Sequence, residues 1–274
     1  MSKAKEKFGK LIWLCPPLMT AIAVWIFTLL GFTIWAAVFM ALLLICPAII
    51  IFGLIKISRR KGGFSPETLH TRGMPLDILA PIYDRYCTLV GLGNAFRQAT
   101  LSYADLKSGQ SVLDIGCGTG VLTRLAALAV SPTGHVIGID PAAKMIEVAK
   151  KNALHQGSRA EFGLGVAEDL RFEDNRFDCV LSSAMLHHIP QDLKVKVLSE
   201  VHRVLKPGGH FVLVDVDRPA IFLWWIILWP LLFWSFTEDQ IKGRLGALLL
   251  NAGFSRTGKV GTWGGFLGFW KAYK

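Results

Sequence analysis

Short apolar runs alternate with longer amphipathic stretches from residue 111 onwards. The runs predict β-strands near residues 111–115, 135–139, 160–164, 177–182 and 209–215. Stretches of 10–15 residues with helical character separate them, and strands joined by helices form parallel sheets with helices on both faces. A helix predicted over 238–251 precedes two further strands, 256–260 and 266–273, which form a hairpin at the end of the sheet. The pattern predicts an α/β fold.

The beginning of the chain has a different, almost wholly apolar pattern. No charged residue occurs between Lys10 and Lys56. One helix of that length would be about twice the ~30 Å hydrocarbon core of a bilayer, so we expect two spans, 11–30 and 33–55, that turn near Gly31. A cleaved signal peptide is excluded because its apolar region is shorter and no small-residue cleavage site follows. A shallow re-entrant hairpin stays open, since prolines in both halves could kink the helices.

Basic residues flank this hairpin on both sides. Basic loops remain in the cytoplasm, so both hairpin ends and the rest of the chain are expected there, in an integral membrane protein. The formal net charge of the chain is +10 at pH 7. No concentrated arginine-aromatic pattern accompanies that charge, so we expect anionic membrane lipid, and no nucleic acid, as the partner. The flanking basic residues are Lys3, Lys5, Lys7, Lys10, Lys56, Arg59, Arg60 and Lys61.

A second uncharged stretch, residues 219–237, lies between the fifth predicted strand and the helix at 238–251. At 19 residues it is barely long enough to span a bilayer, and a third crossing would separate the last strands from the sheet that they complete. Tryptophan prefers the headgroup level, and four tryptophans lie in the stretch, so we expect an interfacial or half-inserted helix. A buried core helix remains the alternative.

A glycine-rich loop follows the first predicted strand. Asp114 lies within the apolar run, and Gly116, Gly118 and Gly120 follow at alternate positions. Glycine permits positive φ and removes Cβ, so the chain can turn sharply and lie against a ligand before the next helix begins. Asp140 ends the second strand, twenty residues after the last glycine, where a carboxylate accepts hydrogen bonds from the two hydroxyls of a ribose. The spacing predicts a nucleotide-cofactor site.

The acidic residue before the glycines indicates the kind of cofactor. A dinucleotide fingerprint spaces its third glycine one residue further on and admits a pyrophosphate. A carboxylate repels pyrophosphate but suits a cationic ligand. The run from Asp114 to Gly120 resembles motif I of the class I S-adenosylmethionine (SAM)-dependent methyltransferases, whose cofactor carries a sulfonium and an ammonium group. The resemblance implies SAM as the cofactor and a Rossmann-like sheet of seven strands.

Other segments resemble the same family and imply further cofactor contacts. Met145 resembles the residue that packs on adenine, with a core methionine as the alternative. Residues 165–172 resemble the family's adenine loop, but Val166 stands where that pattern has aspartate, which leaves the backbone of Ala167 and Glu168 to bind the base. The implied cofactor-binding set is Asp114, Gly116, Cys117, Gly118, Gly120, Asp140, Met145, Ala167, Glu168 and Ser182.

The resemblance covers about residues 76–274 and is best with the ubiquinone/menaquinone-biosynthesis C-methyltransferases. Leu79–Tyr86 is similar to the first helix of that branch, in which a Tyr-Asp pair lies over the SAM pocket, and Gly268–Lys274 resembles its closing strand. We therefore expect a membrane anchor of two transmembrane helices over 1–62, a helical cap over 63–110 and a methyltransferase domain over 111–274.

A few other side chains are weaker candidates for chemistry. His187 and His188 follow the fourth predicted strand and Tyr83 lies in the first helix, and we take these three as catalytic candidates. Packing and capping are the alternative roles for the histidine pair. The five cysteines show no Cys-x-x-Cys or Cys/His ligand spacing, so we predict neither a metal site nor a disulfide framework.

The resemblance implies methyl transfer by direct displacement at the SAM methyl group. Three hypotheses remain for the chain as a whole. The first is an enzyme that methylates a lipophilic acceptor, either a prenylated quinone precursor or a lipid headgroup amine such as phosphatidylethanolamine. The second is an enzyme for a small thiol, metalloid or other permeant molecule. The third, a non-catalytic SAM-binding scaffold, is disfavoured by the intact loop at Asp114 and by Asp140.

Overall fold

The computed structural model describes residues 68–73, 76–227 and 235–274. The anchor predicted over 1–62, with its spans at 11–30 and 33–55, lies outside the described residues, as does 228–234 of the apolar stretch. Within the described ranges, no helix is both long enough and apolar enough to cross a membrane.

Helices and strands alternate along the described chain. The α-helices are α1 (Tyr83–Leu89), α2 (Asn94–Ala104), α3 (Val121–Ala129), α4 (Ala143–His155), α5 (Gln191–Val204), α6 (Phe222–Ile227), α7 (Glu238–Ile241) and α8 (Leu245–Asn251). The β-strands are β1 (Ser111–Ile115), β2 (His135–Asp140), β3 (Glu161–Leu164), β4 (Phe177–Ser183), β5 (Leu205–Val216), β6 (Arg256–Trp263) and β7 (Leu267–Tyr273). Short 3-10 helices cover Asp77–Leu79, Leu186–His188 and Ser235–Thr237.

The strands form one seven-stranded sheet in the order β3-β2-β1-β4-β5-β7-β6. Strands β1 to β5 are parallel, whereas β7 runs antiparallel to both β5 and β6. The chain first builds outward from β1 to β3 and then returns to place β4 on the other side of β1. Such a change of direction opens a crevice at the carboxyl ends of the central strands. The predicted seven-stranded α/β sheet is confirmed.

Both faces of the sheet are covered, because successive strand residues point to opposite sides. Val112 and Leu181 pack with Ala126 of α3 on one face, and Leu113 packs with Val201 of α5 on the other. All of these side chains are buried. Burying one aliphatic side chain of this size contributes roughly 1.5–3 kcal/mol, so the two apolar layers hold the central strands, and the ends that carry the site, in place.

The segment before α1 is tied to the start of α4. The backbone N–H of Lys144 donates to the buried carboxylate of Asp77 at 3.0 Å. The hydroxyl of Thr68 donates to the same carboxylate at 2.5 Å and accepts the N–H of Ala143 at 3.1 Å. Helix α4 has no capping side chain of its own at Ala142, so two distant residues satisfy its free N–H groups. This strap, residues 68–73 and 76–79, contacts the chain just after the carboxyl end of β2, where the N–H of Leu69 donates to Pro141 O at 3.0 Å.

The helix predicted over 238–251 is wrong as a single element, because it divides into α7 and α8. Gly243 has φ 69°, a left-handed conformation that ends helices. The N–H of Gly243 donates to Gln240 O and that of Arg244 to Asp239 O, which closes the turn between the two helices. Helical periodicity continues through this turn in the sequence, so only the glycine could have indicated the break.

The described parts of the stretch 219–237 include helix α6, Phe222–Ile227, and the 3-10 helix Ser235–Thr237. Ile221 is 55% exposed and Phe222 is 65% exposed. The beginning of the stretch therefore exposes two apolar side chains, and its position at a membrane interface stays a prediction.

Candidate functional site

The loop after β1 has the positive φ angles that its alternating glycines predict. The φ angle is 70° at Gly116, 54° at Gly118 and 75° at Gly120, and each costs an L-residue roughly 1–2 kcal/mol. The N–H groups of Gly116 and Cys117 both donate to the carbonyl of Ile139, at 2.9 and 3.0 Å. The loop is thereby fastened to the end of β2, and its backbone lines the crevice of the sheet.

Two carboxyl groups, the buried Asp114 and the partly buried Asp140, lie near the ends of β1 and β2. Asp140 accepts the N–H of Gly118 at 3.0 Å and that of Ala142 at 2.9 Å. Asp114 accepts the hydroxyl of Thr123 at 2.6 Å. Burial raises the pKa of both carboxyls to about 6, although these hydrogen bonds oppose the shift. A cationic ligand would favour their ionised forms, which matches the charge argument made from the sequence.

A cleft of about 650 Å³ lies at the carboxyl ends of β1, β2 and β4. Eight of the predicted residues line it, namely Tyr83, Gly116, Gly118, Asp140, Met145, Ala167, Glu168 and His188. The structure thus gathers residues from five separate segments around one space.

One end of the cleft lies between α4 and the loop 165–168. Met145 is buried there and packs with Tyr83 and Leu76, so it is both a core residue and part of the cleft wall. Thr71 of the strap donates its hydroxyl to Glu168 Oε1 at 2.5 Å. The second oxygen of Glu168 is buried and has no hydrogen-bond partner among the described residues. That oxygen is free to accept a hydrogen bond from a ligand.

A smaller adjoining space of about 300 Å³ holds residues that sequence reasoning missed. Asp114, Cys117 and Tyr83 line it, together with Arg97 of α2 and Ser183 of β4. Arg97 Nη1 donates to the Ser183 hydroxyl at 2.9 Å. Burial holds the pKa of Tyr83 above its usual value, so the phenol stays protonated. An arginine in a helix before the sheet carries no local motif, and no sequence signal pointed to it.

The third part of the cleft lies at the end of β4. Ala184 has φ 55°, which is uncommon for a residue other than glycine and typical of functional sites. The N–H of Ala184 donates to Val214 O at 2.8 Å and so fixes the turn against β5. Met185 and His188 line the cleft immediately afterwards. The strained turn places the following 3-10 helix, Leu186–His188, at the edge of the cleft.

His187 lies in that 3-10 helix and pairs with β5. Its Nδ1 lies 2.8 Å from Asp215 Oδ1, and its backbone N–H donates to Asp215 Oδ2 at 3.3 Å. Asp215 is completely buried. Its burial favours the neutral acid, but the charge and hydrogen bond of His187 outweigh that effect and hold the pKa of Asp215 below its usual value. Asp215 was assigned only to a strand in the sequence, because the pairing joins residues that lie 28 positions apart.

The apolar stretch 219–237 is fixed at both of its described ends. At its start, the N–H of Ala220 donates to Gly265 O at 2.8 Å, and Trp224 packs on Phe266 with ring centroids 4.5 Å apart. At its end, the buried Lys194 of α5 donates to Phe236 O and, at 2.6 Å, to Gln240 Oε1. Ser235–Thr237 also packs against Leu186–His188. The stretch therefore ends beside the histidine pair.

Other predicted site residues lie outside the main cleft. A Cβ on Gly120 would lie 2.5 Å from the Phe162 ring, so this glycine allows α3 to approach β3. Ser182 is buried within β4, and its hydroxyl has no partner among the described residues. The neighbouring Ser183 points to the other face and reaches Arg97. Cys117 lines only the smaller space. The described residues contain no group of three His, Cys, Asp or Glu side chains placed to hold a metal.

Comparisons with known proteins agree with this geometry. A family model described as "Methyltransferase domain" matches residues 112–209. An uncharacterized methyltransferase from Synechocystis is 38% identical over 178 residues, which cover 64% of this chain and 81% of that protein. A demethylmenaquinone methyltransferase from Lactiplantibacillus plantarum is 35% identical over 184 residues, which cover 65% of this chain and 75% of that protein.

A solved structure shows the same fold. The crystal structure of a SAM-dependent methyltransferase from Aquifex aeolicus has a TM-score of 0.54 at 23% identity and covers 65% of this chain and 88% of that chain. The predictions of a methyltransferase and of SAM as its cofactor are confirmed. The chain belongs to the class I SAM-dependent methyltransferases.

Proposed function

We propose that this enzyme transfers the methyl group of SAM to a lipophilic acceptor of the quinone-precursor class at the cytoplasmic face of a membrane. The observation that carries the proposal is the 35% identity to a demethylmenaquinone methyltransferase of which the chain covers 75%. The exposed apolar side chains of Ile221 and Phe222, shortly after β5, support a lipophilic acceptor. The proposal names the acceptor class, and the fold alone would suit many other acceptors.

The cleft offers the groups that a SAM molecule requires. Asp140 would accept hydrogen bonds from the ribose hydroxyls, and Asp114 would lie near the ammonium group. Arg97, in the same small space as Asp114, would lie near the carboxylate of the methionine end. The unpartnered Glu168 Oε2 would accept a hydrogen bond from the adenine amine, a role that Val166 cannot fill. Charged and polar groups of the cleft thus match a ligand with one sulfonium and a zwitterionic end.

The acceptor would enter at the end of β4 and β5. The described beginning of the stretch 219–237 follows β5 and carries the exposed Ile221 and Phe222, and its described end, Ser235–Thr237, packs against Leu186–His188. An acceptor dissolved in the bilayer must avoid water, since exposing each methylene costs about 0.8 kcal/mol. An apolar surface at the headgroup level would shorten that path. Residues 1–62 would hold the catalytic domain at the membrane, with basic flanks facing anionic lipid.

Catalysis in this site would rest mainly on alignment. SAM supplies an activated methyl group bonded to a positively charged sulfur. The glycine loop, Asp140 and the strap would hold the SAM molecule in place. The walls of the cleft would exclude water around its methyl group. The residues at the end of β4 would orient the acceptor in line with the methyl carbon. Holding two reactants in such a geometry removes several kcal/mol from a barrier.

Methyl labelling of cells tests the acceptor class directly. Cells with and without the full-length protein are fed methionine labelled in its methyl group, and their lipids are separated by class. We expect label in the quinone fraction that depends on the protein and is lost in Asp140→Ala. Label in methylated phosphatidylethanolamine, or only in water-soluble products, would contradict the quinone proposal.

A further inference from the structure

We propose that His187, held by Asp215, is the general base of the methyl transfer and that the acceptor is consequently a ring with a hydroxyl group that loses a proton. The inference rests on the proposed function, which it extends from a lipophilic acceptor to the chemistry of the reacting group. Its basis is the pairing of a largely buried histidine with a fully buried carboxylate, in a 3-10 helix whose next residue, His188, lines the cleft.

The pairing fixes which nitrogen of His187 can act. A carboxylate only accepts hydrogen bonds, so the proton of the neutral imidazole lies on Nδ1, 2.8 Å from Asp215 Oδ1. Asp215 is itself held by its contact with the backbone N–H of Val216 at 2.7 Å. The other nitrogen, Nε2, therefore carries a lone pair. No hydrogen bond to Nε2 is found among the described residues, so it is available to accept a proton.

The position of the dyad matches the acceptor end of the cleft. Ala184 and Met185, which line the cleft, directly precede the 3-10 helix that carries His187. The His188 ring, also in the cleft wall, lies 4.0 Å from the His187 ring. Ser235–Thr237, at the end of the apolar stretch, packs against this helix. The turn that carries His187 thus contacts both the cleft, through Met185 and His188, and the end of the segment along which a lipophilic acceptor would arrive.

The surrounding charges favour an ionised Asp215 beside an imidazole. Burial raises the pKa of Asp215, but the hydrogen bond from His187, and the positive charge that His187 carries after it accepts a proton, hold that pKa below its usual value. Burial and the neighbouring His187 lower the pKa of His188, so His188 stays neutral and does not compete for the proton. From α5, Lys194 lies close enough to interact with Asp215, and Glu238 and Asp239 of α7 act on Lys194 in turn.

The reaction balances with these groups. The acceptor hydroxyl gives its proton to His187 Nε2, and the electron pair left on oxygen enriches the ring. A ring carbon, or the oxygen itself, forms a bond with the methyl carbon while the carbon–sulfur bond breaks and its electron pair goes to sulfur. For a ring carbon, the hydrogen on that carbon then leaves as a proton and restores the hydroxyl. The products are the methylated ring, S-adenosylhomocysteine and one proton, which His187 passes to solvent.

A purely structural dyad would link β5 to the turn after β4 without touching an acceptor. Activity alone cannot separate the two roles, because either would be damaged by a His187 substitution. Two measurements separate them: the pH dependence of kcat at saturating SAM, and the response to added imidazole. Saturation removes the pH dependence of SAM binding that Asp114 and Asp140 cause, so the remaining acid limb reports the base, and imidazole replaces only a lost base.

The experiment uses the full-length protein in detergent, SAM labelled in its methyl group, and a short-chain hydroquinone. The variants are His187→Asn, His187→Gly and Asp215→Asn, with His135→Asn as the matched control, because His135 lies at the opposite end of the sheet and is partly exposed. We expect His187→Asn to lower kcat by about 10²–10⁴-fold, to keep the wild-type SAM affinity and to lose the acid limb of the pH–rate profile. Imidazole should restore part of the activity of His187→Gly, and Asp215→Asn should lose less than His187→Asn.

The outcomes separate the base from the acceptor class. In one outcome, the wild type methylates the hydroquinone while His187→Asn keeps the wild-type rate or the wild-type pH profile. That result would overturn the assignment of His187 as the general base, and the proposed function would stand. If both His187 variants lose SAM affinity and His187→Gly does not respond to imidazole, the dyad has a structural role. That result also overturns the assignment of His187 as the general base. If the wild type methylates only amines or thiols, or leaves the hydroquinone unmethylated, the base and the proposed function both fail.

Discussion

The two ends of the cleft are built in different ways. The centre of the cofactor end, Gly116, Gly118 and Asp140, lies within one βαβ unit, and residues from other segments, Arg97 and Glu168 among them, complete it. At the acceptor end, the turn that carries Ala184 and His187 contacts Asp215 of β5 and the end of a distant apolar stretch. The centre of the cofactor site is thus a local arrangement, whereas the acceptor end depends entirely on contacts that the folded topology creates. The two ends should therefore respond to substitution independently.

The largest expected effect concerns the packing that brings the cofactor loop onto the sheet. Gly120→Ala adds a Cβ that would lie 2.5 Å from the Phe162 ring, in a left-handed conformation. Overpacking and backbone strain together should lower the free energy of unfolding by about 2–5 kcal/mol. Gly157→Ala is the matched control, because Gly157 is also left-handed but has open space around its Cβ. Chemical denaturation measures the free energy of unfolding of both variants. An equal decrease in the two would show that the contact with Phe162 does not destabilise Gly120→Ala.

The next effect concerns the anchor of the acceptor end. Lys194→Met removes both hydrogen bonds that hold Phe236 O and Gln240 to α5. Leaving these acceptors without a donor should cost roughly 1–3 kcal/mol of stability. Hydrogen exchange over residues 235–241 should rise, while SAM affinity should stay unchanged. Lys196→Met, an exposed position on the same helix, should change neither quantity. A drop in SAM affinity in Lys194→Met alone would show that the two ends are coupled.

A smaller effect should appear with pH at the cofactor end. Burial raises the pKa of Asp114 and Asp140 to about 6, so both carboxyls are protonated in the free protein at pH 5 and ionised at pH 7.5. Because the pKa of each carboxyl is higher in the folded than in the unfolded protein, its contribution to the stability of the SAM-free protein is complete at a pH below the unfolded-state pKa. This contribution is lost as the pH rises through 6. SAM needs the ionised forms, so its affinity should rise over the same range. Thermal shifts with and without SAM at both pH values measure this, and a SAM-induced shift that is equal at pH 5 and 7.5 would contradict it.

The smallest effect concerns the apolar approach to the acceptor end. Ile221→Ser and Phe222→Ser change exposed side chains, so the fold should be unaffected. The pair of substitutions should raise KM for a long-chain acceptor by about tenfold, because roughly 1.4 kcal/mol of apolar contact is lost. KM for a short-chain analogue should stay the same. Leu154→Ser, at an exposed leucine on α4, serves as the control. An equal rise in KM for the long-chain and the short-chain acceptor would show that Ile221 and Phe222 do not contact the chain of the acceptor.

Much of the cofactor end could be predicted from the sequence because its physical causes are local. Positive φ at alternate glycines and a carboxylate at a strand end both leave a pattern of residue types at fixed spacing. Strand positions were predicted well for the same reason, since apolar runs mark buried strands. Gly120 lies in that pattern but supports helix packing and does not line the cleft.

Contacts between distant segments could not be predicted in this way. Arg97 reaches Ser183 across 86 positions, and Asp77 caps α4 across 67. Neither residue belongs to a motif, because its role depends on which elements the sheet order brings together. Ser182 illustrates the same limit within one strand. Adjacent strand residues face opposite sides, and the sequence did not show which of the two serines faces the site.

Calorimetric titration of SAM into two variants tests most directly whether the two ends are separate. Asp140→Ala removes a cofactor-end carboxylate, and His187→Asn removes the acceptor-end base. A hydrogen bond to a charged group contributes roughly 1.5–3 kcal/mol, so Asp140→Ala should weaken SAM binding by one to two decades. His187→Asn should bind SAM within a factor of about two of the wild type. Unchanged affinity in Asp140→Ala, or an equal loss in both variants, would contradict the assignment of a local cofactor end and a distinct acceptor end.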